Sequence, residues 1–408
     1  MTSATKTLRV VFRLRSPLCI ARRPTAPGQP IETLHYLTGT VVRGGNSNRW
    51  LQGQLYDDLP PAEQKTFREL FLNPAVTFRN GVPLPGGSTQ ATIEVVPHTM
   101  WKQKYDETGW VNENGMGVSD YLKTFLCNES VPDGMERFST SFASREGRRY
   151  TSKDLKPPTR LITRTAVDSR RGTARDGFLY TLEALETGQR FRGIISGPEQ
   201  LLAQLQAVGL RENQALSMGQ GRTRGMGEVT IEKVEELAAP DLEQEQAQAV
   251  ENVKRFTHMV RDCASPLRDE DGNSLNDDTM LLPVVLESDV LLRDNYLLPS
   301  SDPQPFATLG RYLPLSATLN TQMVLHRAGV VQSTTWIGGW DAIRGVPRSP
   351  QLAVMMGSVW TFRVPSAHLD EAVAWWLRAQ QEGVGERRNE GYGRVRLCHP
   401  MHLMEGKL

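Results

Sequence analysis

A chain of 408 residues exceeds the size of one ordinary core, and 39% hydrophobic with 23% charged residues is the composition of a folded protein, neither fibrous nor disordered. Lys and Arg number 47 against 46 Asp and Glu, so the net charge of +1 excludes global attraction to nucleic acid or an anionic membrane and leaves only local patches. The four cysteines (Cys19, Cys127, Cys263, Cys398) form no Cys-x-x-Cys pair, which argues against a disulfide framework or local zinc site and for a reducing compartment. Basic residues interrupt the N-terminus, MTSATKTLRVVFRLR, where a signal peptide needs an apolar stretch, and no run of about 20 apolar residues occurs. A cytoplasmic protein without a membrane partner is expected.

Leu8, Val10, Phe12 and Leu14 alternate with Arg9, Val11, Arg13 and Arg15, predicting a half-buried strand with a basic open face. The segment YLTGTVVRGGNSNRWLQGQLYDDL (36–59) reads as a turn into a helix, although Gly44 and Gly45 weigh against helix. Trp101–Phe138 lacks clean periodicity and reads as an insertion, part of a wider inserted region at about 97–176. Phe178–Leu185 and Arg190–Ser196, joined by Glu186-Thr187-Gly188-Gln189, predict a β-hairpin. Pro198 and Gly209 bracket a helix carrying LLAQLQAV, followed by a Gly-rich loop and the strand Glu228–Val234.

In the segment 238–262, Val250, Val253, Phe256 and Val260 lie at helical spacing, predicting a connecting helix. Met280–Leu292 supplies an opening strand, and Leu352–Met356 and Ser358–Val364 read as two strands around Gly357. A helix from about Ala367 to Gln381 follows, with Ser366 as its N-cap, then a second Gly-rich loop and a strand. The recurring order predicts an α+β chain of two ferredoxin-like (RRM-like) β-α-β-β-α-β modules, 1–238 and 279–408, joined by a helical linker at 239–278.

The first Gly-rich loop, SMGQGRTRGMGEV (217–229), sets Gly219, Gly221, Gly225 and Gly227 around Arg222 and Arg224. The second, GVGERRNEGYGRVRL (383–397), sets Gly391 and Gly393 among Arg387, Arg388 and Arg394. Glycine permits close backbone approach, and successive amides form anion-binding concavities, so phosphate is the expected guest; a tight helix-to-strand connection with solvated arginines is the plainer reading. Neither loop is a P-loop or a dinucleotide fingerprint, since no Gly-Lys-Ser/Thr follows and each leads into a strand. Arg145–Asp176 carries ten basic against four acidic residues, a net +6, and reads as a segment tracking a phosphate backbone.

The two loops, each following the second helix of its unit, resemble the signature of the RAMP superfamily of CRISPR effector proteins. YLTGTVVRG (36–44) is similar to the family's turn into its first helix, and TAVDSRRGTARDGFLYTLEALETGQRFRGII (165–195) to its hairpin region. With LESDVLLRDNYL (286–297) and WIGGWDAIRGVPRSPQLAVMMGSVWTF (336–362), the chain most resembles the two-module, tag-binding (fifth-class) subunit of type III-D complexes. The resemblance implies a non-catalytic, cofactor-free RNA-binding subunit that holds the 5′ tag of the guide (CRISPR) RNA. It also implies other RAMP backbone subunits and the large polymerase-type subunit as partners, with target RNA met indirectly. Contacts to RNA are expected from Arg43, Arg170, Arg171, Gly221, Arg222, Arg224, Gly225, Gly227, Arg387, Arg388, Gly391, Gly393 and Arg394.

Target-cutting RAMP subunits carry an aspartate in the loop after the first strand, whereas Ile20–Thr38 holds only Glu32 as an acid. The competing reading is an endoribonuclease that processes precursor RNA through His35, beside Tyr36, or cuts target through Asp289 or Asp294. A third is a two-module RNA-binding protein outside CRISPR immunity. Cys398, His399 and His402 read as chain-terminal packing and not as a metal site, Trp336 and Trp340 as candidates for stacking on bases, and Trp375 and Trp376 as core.

Overall fold

A computed structural model describes residues 5–21, 30–86, 91–104, 118–127, 129–138, 140–146, 149–152, 155–167, 174–262, 267, 274–341 and 346–404. Arg170, Arg171 and Cys263 lie outside the described residues. The chain mixes helix and sheet, and two antiparallel sheets organise it.

The N-terminal part contributes β1 (Thr5–Leu14), α1 (Gly39–Leu51), β2 (Thr77–Phe78), β3 (Thr159–Val167), β4 (Ala174–Leu185), β5 (Arg190–Pro198), α2 (Glu199–Val208), β6 (Ala215–Ser217) and β7 (Glu228–Leu237). Its main sheet runs β6-β7-β1-β5-β2, with Val82–Pro83 also on β5. The alternation in β1 decides its faces. Leu8, Val10, Phe12 and Leu14 enter a core with Phe191, Ile195, Val229 and Ile231, while Arg13 and Arg15 are exposed. Helices α1 and α2 cover that core through Val42, Leu202 and Leu205. Gly44 and Gly45 do not break α1: Thr38 Oγ1 caps its start, accepting from Val41 N at 3.4 Å.

The C-terminal part contributes α3 (Leu242–Arg261), β8 (Thr279–Leu286), β9 (Val324–Leu325), β10 (Thr334–Ile337), β11 (Gln351–Val354), β12 (Val359–Pro365), α4 (Leu369–Glu382) and β13 (Val395–Leu397). The second sheet runs β9-β12-β8-β13. In both sheets the opening strand, β1 or β8, lies between the closing strand, β7 or β13, and the strand that precedes the second helix, β5 or β12.

The hairpin expected around 186–189 does not form. β4 pairs with β3, and β5 pairs with β1, because the polar turn at 186–189 feeds two different partners. Likewise β11 pairs with β10 while β12 joins β8. Ser366 does not cap α4 by its side chain; its hydroxyl bonds Asp278 and its backbone starts a short 3-10 turn. The helix expected as a connector, α3, is instead a core element: Val253, Phe256 and Val260 are buried with Leu281, Val373 and Trp376 of the second sheet and α4.

In the expected insertion, Thr92–Val95, Phe142–Glu146 and Arg149–Thr151 form one small sheet. Met100–Gln103, Val118–Asp120 and Met135–Arg137 form another. They share a core with Met401, and His402 Nδ1 lies 2.7 Å from Asp120 Oδ2, so Met401 and His402 pack against this region. His399 and His402 are buried there, and Cys398, Trp375 and Trp376 are buried in the second core. Among the described residues no cluster of three or more His, Cys, Asp or Glu is placed to hold a metal ion, and no helix is long and apolar enough to cross a membrane.

Candidate nucleic-acid interface

The two glycine loops occupy matching positions between second helix and closing strand, yet their surroundings differ. In the first, Arg222 and Arg224 sit on a one-turn 3-10 helix and are exposed. Gly221 and Gly225 flank that turn at φ +73° and +75°, the left-handed region that favours glycine. A side chain at Gly225 would enter open space, so the backbone there is accessible from outside, whereas Gly227 is closed in against the Met218 carbonyl. The loop is tied to the strand pair β3–β4, since Arg164 Nη2 donates to the Arg224 carbonyl at 3.1 Å. On β3, Arg160 is exposed as well, giving a cationic surface that joins the loop to the described part of the basic segment. The side chains of Arg149 and Arg175 belong to the part that is not described.

The basic face expected on β1 is partly covered. Arg9 faces Glu235 at 3.7 Å, Arg190 pairs with Glu232 at 2.7 Å, and Arg192 Nη1 donates to the Ala91 carbonyl at 2.6 Å. These arginines are engaged in holding the sheet and the insertion.

The second loop is built into a seam with the first sheet. Gly391, at φ +89°, lies against Gly39 and Phe78: an added Cβ would come within 2.6 Å of the Phe78 carbonyl and 3.1 Å of Gly39 Cα. Asn389 Nδ2 donates to the Phe71 and Leu72 carbonyls at 3.4 Å. At the centre stands Glu390, only 5% exposed, which reasoning from sequence did not single out. Its carboxylate meets Arg43 at 3.0 Å, Arg348 at 2.8 Å and Arg387 at 2.5 Å, and accepts from Thr40 Oγ1 at 3.1 Å. Burial alone would raise its pKa, but the guanidiniums of Arg43, Arg387 and Arg348 hold it down at about 2.

Arg43 and Arg387, expected to meet phosphate, therefore neutralise a buried acid, and Arg43 Nη1 also donates to the Phe71 carbonyl at 2.6 Å. Arg387 further lies over the Tyr392 ring, 4.8 Å from its centroid. Gly393 is closed in by Val384, and Arg394 is buried with Nη1 donating to the Gln380 and Gln381 carbonyls at 3.2 and 2.6 Å, at the end of α4. Arg388 is half-buried and donates to the Gly383 carbonyl at 3.4 Å. The loop that resembles its partner in composition is an internal joint, whereas the first presents its arginines outward.

A separate cavity of about 450 Å³ gathers Glu32, Thr33, His35, Tyr36, Leu161 and Glu183. Glu183 accepts from Thr159 Oγ1 at 2.7 Å and from Thr33 N at 3.1 Å. Burial raises its pKa, but those two bonds and the nearby charges of His35 and Lys156 leave it lowered. His35 thus has a carboxylate neighbour that its sequence context did not reveal. Asp289 and Asp294 serve turns: Asp289 Oδ1 accepts from Met356 N at 2.8 Å, and Asp294 Oδ1 from Tyr296 N and Leu298 N at 2.9 Å. Trp336 and Trp340 are exposed, 56% and 60%, on and beside β10.

No family model and no curated protein matches the chain. Among solved structures, a chain of the type III-B Cmr-beta complex bound to cognate target RNA and AMPPnP is 9% identical with a TM-score of 0.41, the alignment covering 86% of each chain. A chain of the same complex bound to cognate target RNA is 11% identical with a TM-score of 0.32, covering 55% of this chain and 96% of that one. One from the apo complex is 10% identical with a TM-score of 0.31 over the same shares. At such values the functional reading rests on this chain's own residues and geometry.

Proposed function

We propose that the chain is a non-catalytic RNA-binding subunit of a type III CRISPR effector ribonucleoprotein, of the tag-binding kind. The observation that carries this reading is the exposed cationic glycine loop, with Arg222 and Arg224 turned outward beside the β3–β4 strands. The repeated strand order, closing strand beside opening strand beside the strand before the second helix, supports reading each sheet as a ferredoxin-like module. The 5′ tag of the guide lies along the first loop, with phosphates on Arg222 and Arg224 and the backbone close at Gly221 and Gly225. Arg170 and Arg171, which follow β3 in the sequence, would add phosphate contacts to the same strand. Such contacts fix the strand's position, and bases splayed from it carry sequence preference. Neighbouring RAMP subunits and the large polymerase-type subunit dock on other faces.

Binding of single-stranded guide RNA by the full chain tests this. Changing both Arg222 and Arg224 to Ala should weaken binding regardless of sequence and flatten the log–log salt dependence by about 1.4, roughly 0.7 for each lost phosphate contact. An unchanged slope in a folded variant would remove the loop from the interface.

A second reading is favoured by one observation, the cavity that unites His35 with Glu32, Tyr36 and Glu183. There a histidine beside carboxylates could transfer protons during RNA cleavage. Labelled precursor and target RNA, incubated with the pure protein with and without Mg²⁺, separate the two. Multiple-turnover cleavage lost on His35→Ala would establish the enzyme and overturn the non-catalytic assignment.

A further inference from the structure

At the seam between the two sheets, positive charge is buried in excess. Arg394 is 3% exposed; beyond the two bonds of its Nη1 at the end of α4, its Nε and Nη2 are buried with no acceptor among the described residues. Arg79 follows β2 directly, next to Phe78, whose carbonyl lies against Gly391 of the second loop; its backbone N is held by the Ile194 carbonyl at 2.8 Å and its Nε is also buried without an acceptor among the described residues. Arg388 stands beside them, half-buried on the second glycine loop. The carboxylate whose field reaches both Arg79 and Arg394 is that of Glu287, and Glu287 is shared with Arg396 at 3.6 Å.

A guanidinium does not shed its proton in a protein, so burial cannot be relieved by neutralisation as it would be for lysine. Burial, and after it repulsion from Arg79, places the proton affinity of Arg394 well below that of an ordinary arginine. Buried N–H donors without acceptors are costly, and a buried cation is tolerated when a partner anion supplies both charge and lone pairs. The forked donors of arginine match the oxygens of a phosphoryl group, and three arginines converging from two sheets form a better host for that tetrahedral anion than for a single carboxylate.

We propose that the seam is a phosphate-binding site in which Arg79, Arg388 and Arg394 share one phosphoryl group, so that anion binding also locks the two sheets together. Arg79 and Arg388 are half-buried and mark the side from which the group enters. The occupant is a backbone phosphate of RNA, which rests on the RNA-binding reading above, or free phosphate, which does not.

The test is thermal unfolding of the full-length protein in inorganic phosphate against chloride at equal ionic strength. The wild type should gain about 4 °C for each tenfold rise in phosphate above saturation. Arg79→Gln should lose that gain while keeping the general salting-out effect of phosphate that any protein feels. Arg394→Gln removes bonds at the end of α4 and risks misfolding, so Arg79→Gln and Arg388→Gln are the deciding variants. A wild type that gains no more than these variants overturns the site.

RNA then identifies the source. If a strand phosphate fills the seam, inorganic phosphate protects RNA-free protein only, and Arg79→Gln flattens the salt dependence of RNA binding by about 0.7. Phosphate protection with an unchanged RNA slope assigns the site to free phosphate. Phosphate protection in a protein that binds no RNA leaves the seam site standing and rejects the RNA-binding function.

Discussion

Replacing Glu390 by Gln removes the one negative charge on which Arg43, Arg348 and Arg387 converge, while preserving the side chain's size and one carbonyl acceptor. The carboxyl's pKa of about 2 in the folded protein, against an ordinary 4.5, corresponds to a contribution of about 3 kcal/mol from its ionised form. This agrees with the roughly 3–5 kcal/mol lost when one partner of a buried ion pair is removed. Because the folded pKa is depressed, the contribution is complete above pH 4.5 and is lost as pH falls toward 2.

Urea unfolding of wild type and Glu390→Gln at pH 7 should therefore differ by about 3 kcal/mol, and the difference should shrink steadily below pH 4.5. Two cores need not unfold together, so amide exchange at residues 38–41 and 388–391 serves as the local readout, with protection lost at the seam first. A difference below about 1 kcal/mol at neutral pH, or one independent of pH, would refute the view that Glu390 holds the seam by charge.

Gly391→Ala should fall in melting temperature, because its Cβ would press on the Phe78 carbonyl at 2.6 Å, whereas Gly225→Asn, a residue that tolerates the left-handed region, should melt normally and lose RNA affinity. Equal thermal losses in both would reject the distinction between inner and outer loop. Phe256→Ala, a cavity in the second core, should destabilise by about 3–5 kcal/mol in denaturant unfolding. An effect under about 1 kcal/mol would return α3 to the role of a connector.

What the sequence revealed followed from how local the signal was. The alternation of Leu8 to Leu14 is a property of one strand, and Pro198 with Gly209 brackets one helix, so both were legible. The spacing of Val253, Phe256 and Val260 announces an apolar stripe but not the sheet that receives it, so the sequence alone reads α3 as a linker. The expected hairpin failed for the same reason. Glu186–Gln189 is a good turn, yet β5 pairs along β1 from Arg190 to Pro198, and the end of β4 bonds Leu18 instead.

Composition made the two glycine loops look alike. Their different roles come from contacts more than 300 residues apart in sequence, such as Thr40 with Glu390. A usable signal was present: Glu390 is an acid set between Arg387, Arg388 and Arg394, and a carboxylate so placed among arginines is suited to an internal ion cluster. Arg79 and Arg348 carried no such mark, and Glu183 is separated from His35 by nearly 150 residues, so their roles required the fold.

The most direct test of the RNA-binding assignment is ultraviolet crosslinking of the full-length protein to the RNA that co-purifies with it, followed by mass spectrometry of the joined peptides. The account predicts a discrete guide-length RNA whose 5′ end crosslinks to peptides from 217–229 and 159–185. Absence of co-purifying RNA, or crosslinks confined to surfaces away from the first glycine loop and the β3–β4 strands, would contradict it.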